Sequence, residues 1–119
     1  MKRYLIVLLL LLAVPLWAAG NVVGTNARIT WAANAESDLA GYKVFVGTAP
    51  GVYTKTMDVK PADPAKPEAA LSRFVLPEGQ YYLAVAAYDQ AGNLGPKSAE
   101  VAFVLDATAP AAPVGVVVK

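Results

Sequence analysis

Pro77-Glu78-Gly79-Gln80-Tyr81-Tyr82-Leu83-Ala84-Val85-Ala86-Ala87-Tyr88-Asp89-Gln90-Ala91-Gly92-Asn93 is the stretch whose reading decides the fold. Turn residues stand at each end, Pro77-Glu78-Gly79 before and Ala91-Gly92-Asn93 after. Between them the period is two, as in a strand, and not 3.6, as in a helix. Tyr81, Leu83, Val85 and Ala87 form one row; Tyr82, Ala84, Ala86 and Tyr88 form the other.

The same period continues outward. Ala27, Ile29 and Trp31 alternate with Arg28 and Thr30. Tyr42, Val44 and Val46 alternate with Lys43 and Phe45, and Val101, Phe103 and Leu105 with Glu100, Ala102 and Val104. Weaker strands are expected over Thr54–Val59 and Leu71–Leu76. Ala49-Pro50-Gly51 turns the chain after the Tyr42 strand. Three prolines within Pro61–Pro67 forbid regular pairing there. Seven or so short strands with no helical segment between them imply an all-β, antiparallel two-sheet sandwich. Its expected core is Ile29, Trp31, Tyr42, Val44, Val46, Tyr81, Leu83, Val85, Ala87, Val101 and Phe103.

The N-terminus has a different composition. Met1-Lys2-Arg3 is positive, Tyr4–Val14 is leucine-rich, Pro15 breaks the run, and Ala18-Ala19-Gly20 supplies small residues. That order is the layout of a secretory signal, with cleavage expected after Gly20 or after Ala18. The apolar run is also short for a membrane span, which needs about 20 residues. The expected organisation is a helical signal peptide at 1–20, a sandwich domain at 21–105, and a proline-spaced linker with an extra C-terminal strand at 106–119. The first segment is also the most apolar, with 16 of its 20 residues hydrophobic against 56% for the whole chain. The expected location is outside the cytoplasm: periplasm, cell surface or extracellular space.

Four pieces of the sequence, in order, resemble a fibronectin type III domain of the bacterial, exported kind. Arg28-Ile29-Thr30-Trp31 looks like that family's second strand with its buried Trp. Glu36-Ser37-Asp38-Leu39-Ala40-Gly41-Tyr42-Lys43-Val44-Phe45-Val46-Gly47 resembles its third strand and the loop before it. Leu76–Asp89 resembles the tyrosine corner and sixth strand, and Gln90-Ala91-Gly92-Asn93 the loop that follows. The resemblance covers roughly 27–105 and implies an immunoglobulin-like sandwich. It also implies that the Tyr81 hydroxyl bonds back to the backbone ahead of the turn. In such families these domains space and present other domains, so the resemblance implies protein–protein interaction or spacing at the envelope. A carbohydrate-binding module and a structural subunit of an envelope assembly are the alternatives. The family's first strand has only Asn21–Asn26 to form from, while Val114–Val118 is a spare strand at the other end.

The residue inventory narrows the chemistry. There is no histidine and no cysteine, which removes disulfides, the usual zinc ligands and the common nucleophile–base arrangements. Ser37, Ser72 and Ser98 stand in no catalytic motif, so the chain is read as non-enzymatic, with no cofactor. After Gly20 there are eight basic and nine acidic residues, a net charge of −1, with neither sign clustered. A nucleic-acid partner would require a basic stripe, and a membrane is expected only through the signal during export. Asp89 with Asn93, and Glu36 with Asp38, offer two oxygens per loop where calcium takes six to eight. Asp89, Gly92 and Asn93 are read as turn residues instead.

Two candidate interaction features remain. If Tyr81 and Val85 point inward, then Tyr82, Ala84 and Ala86 point outward, beside Phe45 on one side and Ala102 and Val104 on the other. That makes an aromatic patch on a smooth floor, a feature that marks interaction surfaces when exposed. The second is the apolar run Val114, Val116, Val117 and Val118, which is expected to pair with a sheet edge in its own chain or in another.

Overall fold

The structure is a computed structural model and describes residues 21–119. The expected signal peptide lies outside the described residues. The chain forms β1 (Asn21–Val23), β2 (Arg28–Thr30), β3 (Leu39–Gly47), β4 (Lys55–Val59), β5 (Glu68–Ala70), β6 (Gly79–Asp89) and β7 (Val101–Leu105). A 3-10 turn, Leu71–Phe74, sits between β5 and β6. The fold is all-β.

β1, β7, β6, β3 and β4 form a five-stranded sheet in that order, and β2 and β5 form a two-stranded sheet. All pairings are antiparallel except β1 with β7, which is parallel, with Asn21 opposite Phe103 and Val23 opposite Leu105. The central strand β6 sets the register. Val44 faces Val85, Phe45 faces Ala84, Tyr81 faces Phe103 and Tyr82 faces Ala102.

Because side chains alternate across a strand, one row from each strand turns toward the second sheet. Tyr42, Val44, Val46, Met57, Val59, Tyr81, Leu83, Val85, Phe103 and Leu105 are buried there against Ala69, Leu71 and Phe74. Fully burying one such side chain contributes about 1.5–3 kcal/mol. Trp31 is half-buried at the margin of this core, edge-on to Tyr42 with ring centroids 5.1 Å apart. The Tyr81 ring stacks on Phe103 at 5.5 Å, and its hydroxyl donates to the Pro77 carbonyl at 2.5 Å.

Three expectations are corrected. Leu71–Leu76 is not a strand: β5 ends at Ala70, the 3-10 turn follows, and Val75 takes a left-handed conformation (φ 50°) with its side chain 82% exposed. Only Leu71, Phe74 and Leu76 from this run reach the core, a spacing of two to three that a strand does not produce. Val101 is not a core residue. It lies on the inward row with Phe103 but is 56% exposed, since among the described residues no strand covers that margin of the sheet. Finally, Val114–Val118 forms no strand and is exposed throughout, with Gly115 at φ +71° interrupting any extended run.

Candidate functional site

The outward row of the five-stranded sheet carries Lys43 and Phe45 from β3, Thr56 and Asp58 from β4, Tyr82, Ala84, Ala86 and Tyr88 from β6, and Ala102 and Val104 from β7. Phe45, Tyr82, Ala102 and Val104 are half-buried. Ala84 and Ala86 occupy the expected row but are only 1% and 2% exposed, so they are not themselves a contact surface. Their methyl groups lie below the larger Phe45 and Lys43 side chains opposite them. They form a floor over which longer side chains pass.

Those longer side chains come from the irregular segment between β6 and β7. Gly95 donates to the Ala87 carbonyl at 2.8 Å and Ser98 to the Val85 carbonyl at 2.7 Å, so the segment runs along β6 on the side away from β3. The Ser98 hydroxyl accepts from the Val85 amide at 3.0 Å and fixes this attachment. From there Lys97 crosses β6 to place its ammonium 4.7 Å from the centroid of Phe45 and 5.9 Å from that of Tyr53. Glu100 makes the same crossing. Its Oε1 accepts from the Tyr53 hydroxyl at 2.6 Å and from the Gly51 amide at 2.7 Å. The hydrogen bond to Glu100 raises the Tyr53 pKa, followed by slight burial of the phenol and then by the Glu100 charge. The small floor makes both crossings possible, because a larger residue at 84 or 86 would stand in their path.

The β3–β4 hairpin brings Tyr53 to this cluster. Thr54 donates to the Val46 carbonyl at 2.9 Å, and Val52 to the Ala49 carbonyl at 3.1 Å. The backbone comes so close that a Cβ on Gly47 would lie 1.8 Å from the Val52 carbonyl oxygen. Phe45 and Tyr53 then meet at 6.0 Å, their rings tilted by 48°.

A second cluster centres on Asp58. Its carboxylate accepts from the Tyr88 hydroxyl at 2.6 Å and from Lys60 Nζ at 3.0 Å, with Lys43 Nζ 3.8 Å away. Lys60 also donates to the Tyr88 hydroxyl at 2.9 Å, and Lys43 and Lys60 lie 5.0 and 5.6 Å from the Tyr88 ring centroid. The Tyr88 hydroxyl, followed by Lys60, holds the Asp58 carboxyl below its usual range. The Tyr88 hydroxyl, followed by the Asp58 carboxylate, pushes Lys60 up to about 12. One face therefore presents two aromatic groups, each capped by cations and tied to an acid.

Tyr53, Asp58, Lys60, Tyr88, Lys97 and Glu100 were not among the expected surface residues. Strand parity carried a signal for Asp58, which falls on the outward row of β4. Lys97, Glu100 and Tyr53 lie outside regular strands, where parity gives none. Of the acids weighed for calcium, Asp89 and Glu36 have other partners. Asp89 Oδ1 accepts from the amides of Ala91 and Asn93 at 3.0 and 2.8 Å, and Asp89 Oδ2 from Asn93 Nδ2 at 3.0 Å. These bonds hold the Asp89 carboxyl below its usual range, Asn93 first. Glu36 accepts from Asn34 Nδ2 at 3.1 Å. A cleft of about 640 Å³ lies at this end of the molecule, between the 31–39 and 93–98 segments. Among the described residues no helix is long and apolar enough to cross a membrane. Comparison of the chain with family models, with curated proteins and with solved structures finds no match.

Proposed function

We propose that this chain is an exported, non-enzymatic module of the fibronectin type III kind that presents the outer face of its five-stranded sheet to a protein partner. The topological support is the strand order β1-β7-β6-β3-β4 against β2-β5, together with the Tyr81 to Pro77 corner bond. The export support is the segment 1–20, with its basic start, leucine-rich stretch and small-residue end.

The observation that carries the reading is the pair of clusters around Phe45–Tyr53–Lys97–Glu100 and Asp58–Tyr88–Lys60. Aromatic residues are enriched in protein interfaces, and charges at the rim choose the partner more than they add affinity. Both clusters are held by internal hydrogen bonds and so are preorganised, which lowers the ordering cost of association. A carbohydrate platform is less well supported. Sugar rings stack on coplanar aromatics, whereas Phe45 and Tyr53 are tilted by 48° and lie under one ammonium.

The test is a crosslinking pull-down from the native envelope with the parent chain and with Phe45→Ala/Tyr82→Ala. Loss of the copurifying partner from the variant, with its thermal midpoint near the parent's, supports this surface. Retention of the partner by a folded variant removes it, and recovery of a glycan in place of a protein would turn the reading to the carbohydrate alternative.

A further inference from the structure

Among the described residues the two-stranded sheet has an unpaired edge along β2, and residues 114–118 are an apolar run that pairs with no strand. In the β2–β5 pair, Ile29 lies opposite Ala69, the Leu71 amide donates to the Ala27 carbonyl, and the Trp31 amide donates to the Pro67 carbonyl. The backbone groups of residues 27, 29 and 31 are thus turned toward β5. By the alternation of an antiparallel ladder, those of Arg28 and Thr30 are turned to the opposite edge. Among the described residues no strand pairs with that edge.

Beside it a cleft of about 430 Å³ opens between the two sheets, floored by Ile29, Trp31, Leu71, Leu83, Val85 and Phe103. Two further observations mark the gap as incompletely filled. Val101 faces inward yet is 56% exposed, and Trp31 Nε1 is buried with no hydrogen-bond partner. The β4 edge differs: it carries Lys55 and Asp58 and is guarded by charge, whereas the β2 edge borders an apolar hollow.

At the other end of the chain Val114, Val116, Val117 and Val118 are 91, 80, 68 and 95% exposed. With an extended backbone, Val114, Val116 and Val118 fall on one side and Val117 on the other. That is the pattern of a strand lying on an apolar hollow with its reverse toward water. We infer that residues 114–118 of a second copy of this chain add to the open edge of β2, antiparallel to it, and fill the cleft with Val114, Val116 and Val118.

The exit of the chain explains why the donor is a second copy. Asp106 donates to the Val23 carbonyl at 2.9 Å, Ala107 donates to Glu78 Oε2 at 3.0 Å, and the Thr108 hydroxyl bonds the same oxygen. Glu78 stands at the head of β6, so the linker is drawn past β7 toward β6 and away from the cleft, which lies on the β1 side. Five residues, 109–113, then separate Thr108 from Val114, with prolines at 110 and 113. The six steps from Thr108 to Val114 reach about 20–22 Å at most. To start antiparallel beside Trp31, the chain would have to pass back over β7 and β1, cross to the facing sheet and run the length of β2. Each leg is about 10 Å, and the route goes around the strands. A neighbouring molecule imposes no such detour. Reciprocal exchange closes a dimer, and one-way exchange extends a filament.

The absence of cysteine gives a direct test. With Val114 beside Trp31, Val117 lies opposite Arg28. Arg28→Cys and Val117→Cys, both on the solvent side of the added strand, are made in separate full-length chains, exported and mixed under mild oxidation. A mixed disulfide between the two species is the expected result, because only trans addition brings those positions together. In parallel, Val116→Asp/Val118→Asp is expected to weaken self-association at least about a hundredfold in sedimentation or light scattering. The Phe45→Ala/Tyr82→Ala variant leaves self-association unchanged, which separates this inference from the partner-binding face. A parent chain that stays monomeric at about 100 µM overturns the inference. So does a disulfide that forms only when both cysteines are in one chain, or self-association indifferent to the two aspartates. The mass of the crosslinked species reports removal of residues 1–20 independently of the strand pairing.

Discussion

Tyr81 shows how much one side chain settles. Its ring occupies the inward row of β6 and stacks on Phe103, while its hydroxyl reaches back four residues to the Pro77 carbonyl. That bond fixes the corner at which the chain leaves the 3-10 turn and enters the sheet. Tyr81→Phe keeps the ring and removes the bond, leaving a partly buried carbonyl without its donor. The expected cost is about 1–2 kcal/mol, read as a lower urea midpoint at unchanged slope. Val75, six residues earlier, shows the limit of sequence reasoning at this scale. A β-branched residue in the left-handed region is rare, and the local sequence Phe74-Val75-Leu76 reads as strand. The surrounding contacts of Leu71 and Phe74 with the core impose the turn, and that is tertiary information.

At the scale of elements, the long central strands were legible because each has one buried row. β3, β4, β6 and β7 fall where the period of two placed them, and so does the inward set from Tyr42 to Phe103, apart from Val101. β1 was not legible. Three residues pair with β7 only because β7 offers a free edge, and nothing in Asn21-Val22-Val23 names that partner. The outer face was half legible, since parity placed Phe45 and Tyr82 but could not show Lys97 and Glu100 crossing the alanine floor from an irregular segment. The β3–β4 hairpin carries its own requirement. Gly47→Ala would drive a Cβ into the Val52 carbonyl, which is backbone and cannot rotate aside. The expected cost is about 2 kcal/mol. The loss of the Tyr53 to Glu100 bond would show as a return of the Tyr53 titration toward that of a free phenol.

For the whole molecule the balance of charge is close to neutral, so acid sensitivity comes from particular carboxylates and not from general repulsion. Asp58 and Asp89 both have pKa values held below 3.8 in the folded chain. The folded state therefore binds fewer protons than the unfolded state in that region. Their stabilising contribution is complete above the unfolded value, near pH 4, and is lost as pH falls through the lower folded values. Urea midpoints are expected to decline below about pH 4, and Asp58→Asn/Asp89→Asn is expected to flatten that decline. A variant that keeps the full acid slope would assign it to other groups.

The parallel pairing of β1 with β7 also bears on mechanics. β1 enters the sheet at one end and β7 leaves it at the other, their strands side by side over Asn21–Val23 and Phe103–Leu105. Tension applied between residues 21 and 105 pulls these neighbours past each other lengthwise. Their cross-links are loaded together and do not peel apart singly, so the domain resists stretching along this axis through its shortest strand.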